Sequence, residues 1–397
     1  MSVLNVESND VNTSMVSSWS SVLVMSLCCA VLIASEFMPV SLLTPIAFDL
    51  KMSEGLVGQA IAISGVFAVV TSLTITTITR KWDRRTVIIG LTLLMIVSGV
   101  IITFAHSALL FMLGRAMLGI VIGGFWSMST AIIMRLVLSN DVPKALGLLN
   151  GGNALATSIA APAGSYLGAM IGWRGAFFCI VPIALIALVW QIKSMPQLPP
   201  LSTQKQTGNV FVLLKRPTVL LGMLGIMFLF MGQFALFAYL RPFLEKVTLV
   251  DTTLLSSLLL LLGVSGLIGT YLISHLLQQH LYRYLVLIPS SLAILALGLF
   301  SFGHTLWLVA IIMGLWGLVA TAAPVAWSTW LTKTLPQDAE AGGGLMVAII
   351  QLAITLGATI GGLLFDWQGY QATFILSALI LVVSAVSVLI TQRIQTI

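Results

Sequence analysis

Two ionisable residues stand where apolar sequence otherwise admits no charge. Glu36 interrupts an uncharged run from Trp19 to Phe48, and Arg115 interrupts the run LLFMLGRAMLGIVIGGFWSMSTAIIMR. A charge at bilayer depth costs several kcal/mol unless it is neutralised, paired or wetted. Only 8% of the residues are charged, so the placement calls for chemistry. Arg115 lies about two turns from the outer end of its run and Glu36 about two to three. At about 1.5 Å per residue the two depths agree to within about a turn. Paired, each lowers the other's cost of burial. A titratable pair of this kind is a switch: protonating Glu36 would release Arg115 and change how two helices pack. The plainer alternative is a static ion pair that locks them.

Other residues frame that pair. Gly119, Gly123 and Gly124 follow Arg115 at RxxxGxxxGG spacing and give one helix face without side chains. Pro162 and Gly164 fall in the small-residue segment AAPAG, where Pro removes a backbone hydrogen bond and invites a bend. The loop TRKWDRRT places Asp83 among Arg84 and Arg85, where the carboxylate could sit at the positive end of a neighbouring helix. These seven, Asp83, Arg84, Arg85, Gly119, Gly123, Pro162 and Gly164, are the gating candidates. Aromatic and amide groups inside apolar runs suit a flat, neutral, ring-shaped solute. The binding candidates are Phe37, Phe125, Trp126, Asn153, Gln233, Tyr239, Trp327, Trp330 and Gln351.

The elements that must hold these residues are membrane helices. Of the 397 residues, 59% are hydrophobic and mean hydropathy is +1.09, far from a soluble domain. Apolar runs are continuous, which fits helices of about 20 residues and not the alternation of a barrel. Spans are expected at 19–47, 55–78, 87–104, 109–137, 146–170, 176–194, 218–245, 253–277, 285–302, 307–333, 343–365 and 372–392. The chain therefore divides into a tail (1–18), a six-helix bundle (19–194), a polar linker (195–217), a second bundle (218–392) and a second tail (393–397). With both termini cytoplasmic, thirteen Lys and Arg lie inside and four outside, as the positive-inside rule asks. Shifting the first half by 197 residues superposes Asp141 on Asp338, Gly164 on Gly361, Gly172 on Gly369 and Phe177 on Phe374. Two six-span halves are thus related by a parallel repeat. No P-loop, metal-ligand cluster or nucleophile–His–acid set is present, so an enzyme is not expected, nor a cofactor, metal or nucleic-acid partner. Energy must come from an ion or solute gradient.

The chain resembles the major facilitator superfamily, in its twelve-span branch of proton-coupled drug and metabolite exporters. The resemblance rests on EFMPVSLLTPIAFDL, GRAMLGIVIGGFWSMSTAIIMRLV, VPKAL, IGWRGAFF, GQFALFAYLRP and VAWSTWLTKTL, and it is greatest to bacterial purine ribonucleoside exporters. It implies proton coupling through Glu36 and Arg115, a solute such as inosine or guanosine, and a monomer in the bacterial inner membrane. The family's loop motif is altered here, with Thr79 at its leading Gly position. Sugar or multidrug efflux by the same fold is the nearer rival. A non-transporting membrane sensor is the rival of another class, and the linker is short for a signalling domain.

Overall fold

The computed structural model describes residues 18–138, 141–200, 210–276, 280–335 and 339–395. Among them are thirteen α-helices and no β-strand: α1 (Trp19–Leu50), α2 (Glu54–Ile78), α3 (Arg84–Thr103), α4 (Ala108–Leu136), α5 (Val142–Phe178), α6 (Ile180–Ser194), α7 (Pro217–Phe237), α8 (Leu240–Lys246), α9 (Thr252–Leu276), α10 (Leu281–Phe302), α11 (Leu306–Ala320), α12 (Ala322–Thr334) and α13 (Ala339–Gln395). Helix starts follow side-chain capping: Ser53 accepts from Leu56 N at 3.1 Å, Asp83 from Arg85 N at 2.7 Å, and Ser107 from Leu110 N at 3.3 Å.

Among the described residues ten segments are long and apolar enough to cross a bilayer. Two of these, of 51 and 53 residues, are each about twice the ~20 residues one crossing needs. Both break at a glycine, Gly172 with φ 77° and Gly369 with φ 75°, a conformation that glycine alone adopts without penalty. Beyond Gly172 the chain turns back. Arg174 reaches the α3–α4 turn at Ala105, while Ser194 returns to Ser21 near the start of α1. Counting both reversals gives twelve crossings. The two glycines are the pair that the 197-residue shift superposes. The aromatic pairs after them correspond too: Trp173 meets Phe177 at 6.3 Å, and Tyr370 meets Phe374 at 5.8 Å. Asp338, the repeat mate of Asp141, lies outside the described residues, as do 1–17 and the middle of the linker.

Helices α1–α6 pack on one another, as do α7–α13. Ile186, Ile294 and Leu379 on the outside are each at least 60% exposed, as a lipid-facing belt requires. The end of the molecule that carries the linker is called here the linker end, and the opposite one the distal end. Between the halves α2 packs on α13, α5 on α9 and α1 on α8.

Candidate functional site

Prolines in α1 dictate the site. A helical proline has no N–H for the carbonyl four residues earlier, so Pro39 frees the Ser35 carbonyl and Pro45 frees that of Ser41. An arginine takes up each. Arg115 from α4 donates Nη1 to Ser35 O at 2.9 Å, Nη2 to Glu36 O at 3.3 Å, and Nε to Ala60 O of α2 at 3.2 Å. It is 0% exposed. Arg241 from α8 donates Nη1 to Ser41 O and Nε to Glu245 at 2.8 Å. Arg115 thus binds α1 and α2 through their backbones.

This corrects the expected ion pair. Glu36 and Arg115 are neighbours, but all three guanidinium hydrogen bonds go to carbonyl oxygens. The Glu36 carboxylate, in a residue 5% exposed, accepts instead from Gln351 Nε2 of α13 at 3.4 Å. The physical reason is local. The Ser35 carbonyl has no helical donor, and a fixed guanidinium satisfies it at short range. Glu36 therefore links the two halves, and Arg115 ties together helices of one half. The amide oxygen of Gln351 is buried without a hydrogen-bond partner, as is that of Gln233 on α7.

Hydrogen bonds between the halves run from this level towards the distal end. Thr355 donates to Ala62 O at 3.3 Å, and Ser158 to Gly263 O at 3.0 Å. Beyond them Ser256 meets Ser165 at 3.0 Å, and Lys246 pairs with Glu54 at 2.6 Å. At the tip Asp366 accepts from Ser53 Oγ at 2.5 Å and from Gly55 N at 2.9 Å, so one half's carboxylate caps a helix of the other. Pro162 belongs to this closure. It frees the Ser158 carbonyl, and that oxygen lies where a β-carbon on Gly263 would be.

The remaining candidates are scattered. Phe37 is half-buried and bridges the halves, stacking on Phe234 at 5.9 Å and meeting Phe237 edge-on at 6.4 Å. Trp126 and Asn153 are half-buried on α4 and α5. Phe125 is buried against Trp126. Trp327 and Trp330 are sunk in the second half, in notches that Gly225 and Gly222 leave on α7, with Trp330 Nε1 donating to Tyr282 Oη at 3.0 Å. Tyr239 is also fully buried, donating to Ala358 O at 2.7 Å and stacked on Phe365. In this conformation these three rings pack helices and present no face to a solute. Gly119 and Gly123 sit on the α2 carbonyls of Ser64 and Ala68, and Gly164 against Ser41 of α1, all within the first half. Asp83, expected at the positive end of a neighbouring helix, caps its own α3 and holds the linker: both its oxygens accept from Leu198 N, at 3.1 and 3.0 Å. Arg84 donates to Thr79, and Arg85 to Ile192 O at 2.6 Å.

Sequence reasoning did not identify Arg241, Asp366 or the roles of Pro39 and Pro45. The signal was present for the first, because each proline names an orphan carbonyl four residues upstream. Asp366 at a span end gave none.

The model of the Major Facilitator Superfamily matches residues 25–343. The chain is 54% identical over 379 residues to a Pseudomonas aeruginosa protein named "Transcription regulatory protein OpdE", covering 95% of this chain and 94% of that one. It is 42% identical over 377 residues to the "Purine ribonucleoside efflux pump NepI" of Salmonella enteritidis, with the same shares covered. Among solved structures, a bacterial homolog of the human lysosomal transporter Spinster, inward-facing and occupied, superposes with TM-score 0.77 over 94% of this chain and 96% of that one. At 15% identity that likeness concerns the fold alone.

Proposed function

This chain belongs to the major facilitator superfamily, and from that premise we propose that it exports a neutral purine ribonucleoside, such as inosine or guanosine, in exchange for protons. The observation that carries the proposal is Glu36, a buried carboxylate whose side-chain partner is an uncharged amide of the other half. A carboxylate so placed can be neutralised by a proton without breaking an ion pair. The unpartnered oxygens of Gln233 and Gln351 ask for a solute with hydrogen-bond donors, which a nucleoside supplies from its base and ribose. Identity of 42% to nucleoside efflux pumps supports the same solute.

The excess of Lys and Arg at the linker end supports a cytoplasmic location for that end, and for both termini, of a bacterial inner-membrane protein. The distal contacts then close the outside, and solute enters between the halves from the cytoplasm while Glu36 is ionised. Breaking the distal contacts opens the outside, where a proton reaches Glu36 and the solute leaves. The protonated carrier returns, and Glu36 gives up its proton inside. Both halves of the site come from one chain, so a monomer suffices.

A second reading is a membrane regulator that binds without transporting, and 54% identity to a protein named as a transcription regulator favours it. Flux in vesicles under an imposed pH gradient, across nucleosides, sugars and cationic drugs, separates the readings. Nucleoside movement that Glu36→Gln abolishes is expected. Binding without flux would establish the regulator, and flux of sugars or drugs alone would replace the solute.

A further inference from the structure

We propose that Gln351 is a positioning residue that reports the protonation state of Glu36 to the solute by turning its amide over. This rests on the proton-exchange reading above and adds the device by which proton and solute exclude each other.

The geometry is asymmetric. Gln351 Nε2 donates to Glu36 Oε1 at 3.4 Å, while Gln351 Oε1 is buried without a partner. The residue is 6% exposed. An ionised carboxylate accepts only, so it holds the amide by its NH2 group. A protonated carboxyl donates, and the group it then matches is the amide oxygen. The proton moves onto the carboxylate of Glu36, and the amide keeps both of its own. Only the last torsion of the glutamine has to turn, which is soft and two-fold. The backbone beneath it stays fixed, because Thr355 Oγ1 shares its one proton between Gln351 O at 2.8 Å and Ala62 O of α2 at 3.3 Å.

Turning the amide reverses what Gln351 offers. With Glu36 ionised the free group is a carbonyl oxygen, which binds a donor on the solute. With Glu36 protonated the free group is an NH2, which repels that donor. Solute is thus held when the proton is absent and released when it arrives.

The charges around Glu36 leave this exchange to Gln351. Of the helices packed on α1, among the described residues only α4 brings a charge to its level, Arg115, which is engaged by carbonyls. Glu54 of α2, Arg241 and Glu245 of α8 and Arg174 of α5 lie towards the distal end. Arg84 and Arg85 of α3, Lys193 of α6, Lys144 of α5 and Asp141 just before α5 lie at the linker end. Asp366 of α13 is held at Ser53.

Infrared difference spectroscopy on the intact protein in lipid, with isotope-labelled glutamine, tests this without any solute. Acidification should raise a carboxyl band that Glu36→Gln lacks. An amide band absent from Gln351→Met should shift with the same midpoint. An amide band that stays put while the Glu36 band appears overturns the switch and leaves proton exchange standing. Absence of the Glu36 band across the accessible pH range overturns both. As a second readout, inosine affinity in the wild type should fall about 5- to 150-fold, the usual range of coupling between sites, as Glu36 is protonated. In Gln351→Met and in the shorter Gln351→Asn inosine binding should weaken, because the amide contact to the solute is lost, and the affinity that remains should have a flat pH profile. An unflattened profile in the Met variant overturns the proposal.

Discussion

Arg115→Met removes the donor from three buried carbonyls, and their losses differ. Glu36 O and Ala60 O each keep the helical donor four residues on, from Val40 and Ser64. Ser35 O does not, because residue 39 is proline. Leaving one buried acceptor unsatisfied costs about 1–3 kcal/mol, and that part of the loss belongs jointly to Arg115 and Pro39. Pro39→Ala returns an N–H to Ser35 O, so in its presence Arg115→Met should cost less by about 1–3 kcal/mol. The assay is a double-mutant cycle on reversible unfolding of the purified protein in detergent. Pro45→Ala is the control: it restores a donor to Ser41 O, which Arg241 serves, and should show no coupling to Arg115. If Pro39→Ala and Arg115→Met add to within the ~0.3–0.5 kcal/mol expected of independent sites, Arg115 is not held by the proline-freed carbonyl and the reasoning fails.

Three further outcomes follow from the geometry. Gly263→Ala places a β-carbon against the backbone of Ser158, so it should disfavour distal closure; spin labels replacing Phe48 and Leu249, 88% and 79% exposed, should report a longer mean separation. Asp366→Asn, which weakens a charge-assisted cap on α2, should lengthen the same separation and shift the closed-to-open ratio by about tenfold for each 1.4 kcal/mol lost. Trp330→Phe removes the hydrogen bond to Tyr282 and should lower stability by about 0.5–1.5 kcal/mol with nucleoside affinity unchanged; a fall in affinity by titration calorimetry would return Trp330 to the binding site.

The membrane-helix fold was legible because span length and continuous hydrophobicity are properties of the sequence itself. So was the repeat, which needs glycine where the backbone takes positive φ, at 172 and 369. The prominence of Glu36 and Arg115 was legible for a related reason, since charge in an apolar run is costly wherever the run lies. Their mutual geometry was not. Depth alone cannot say whether a guanidinium meets a side chain or a carbonyl, and here Pro39 decided it. Trp327 and Trp330 misled because aromatic residues inside a span serve packing and binding equally. The choice between them depended on Gly222 and Gly225, which lie roughly a hundred residues earlier. Asp83 matched a gating pattern, yet its partner Leu198 belongs to the linker, whose path no motif encodes.

In the proposed exchange solute and proton move in opposite directions through one site. Proteoliposomes loaded with a pH-sensitive dye and given an inosine gradient, with no imposed pH gradient, test it most directly. Inosine entering the vesicles should drive protons out, alkalinising the lumen, and Glu36→Gln should abolish the proton signal. Inosine flux with no accompanying proton movement in the wild type would contradict it.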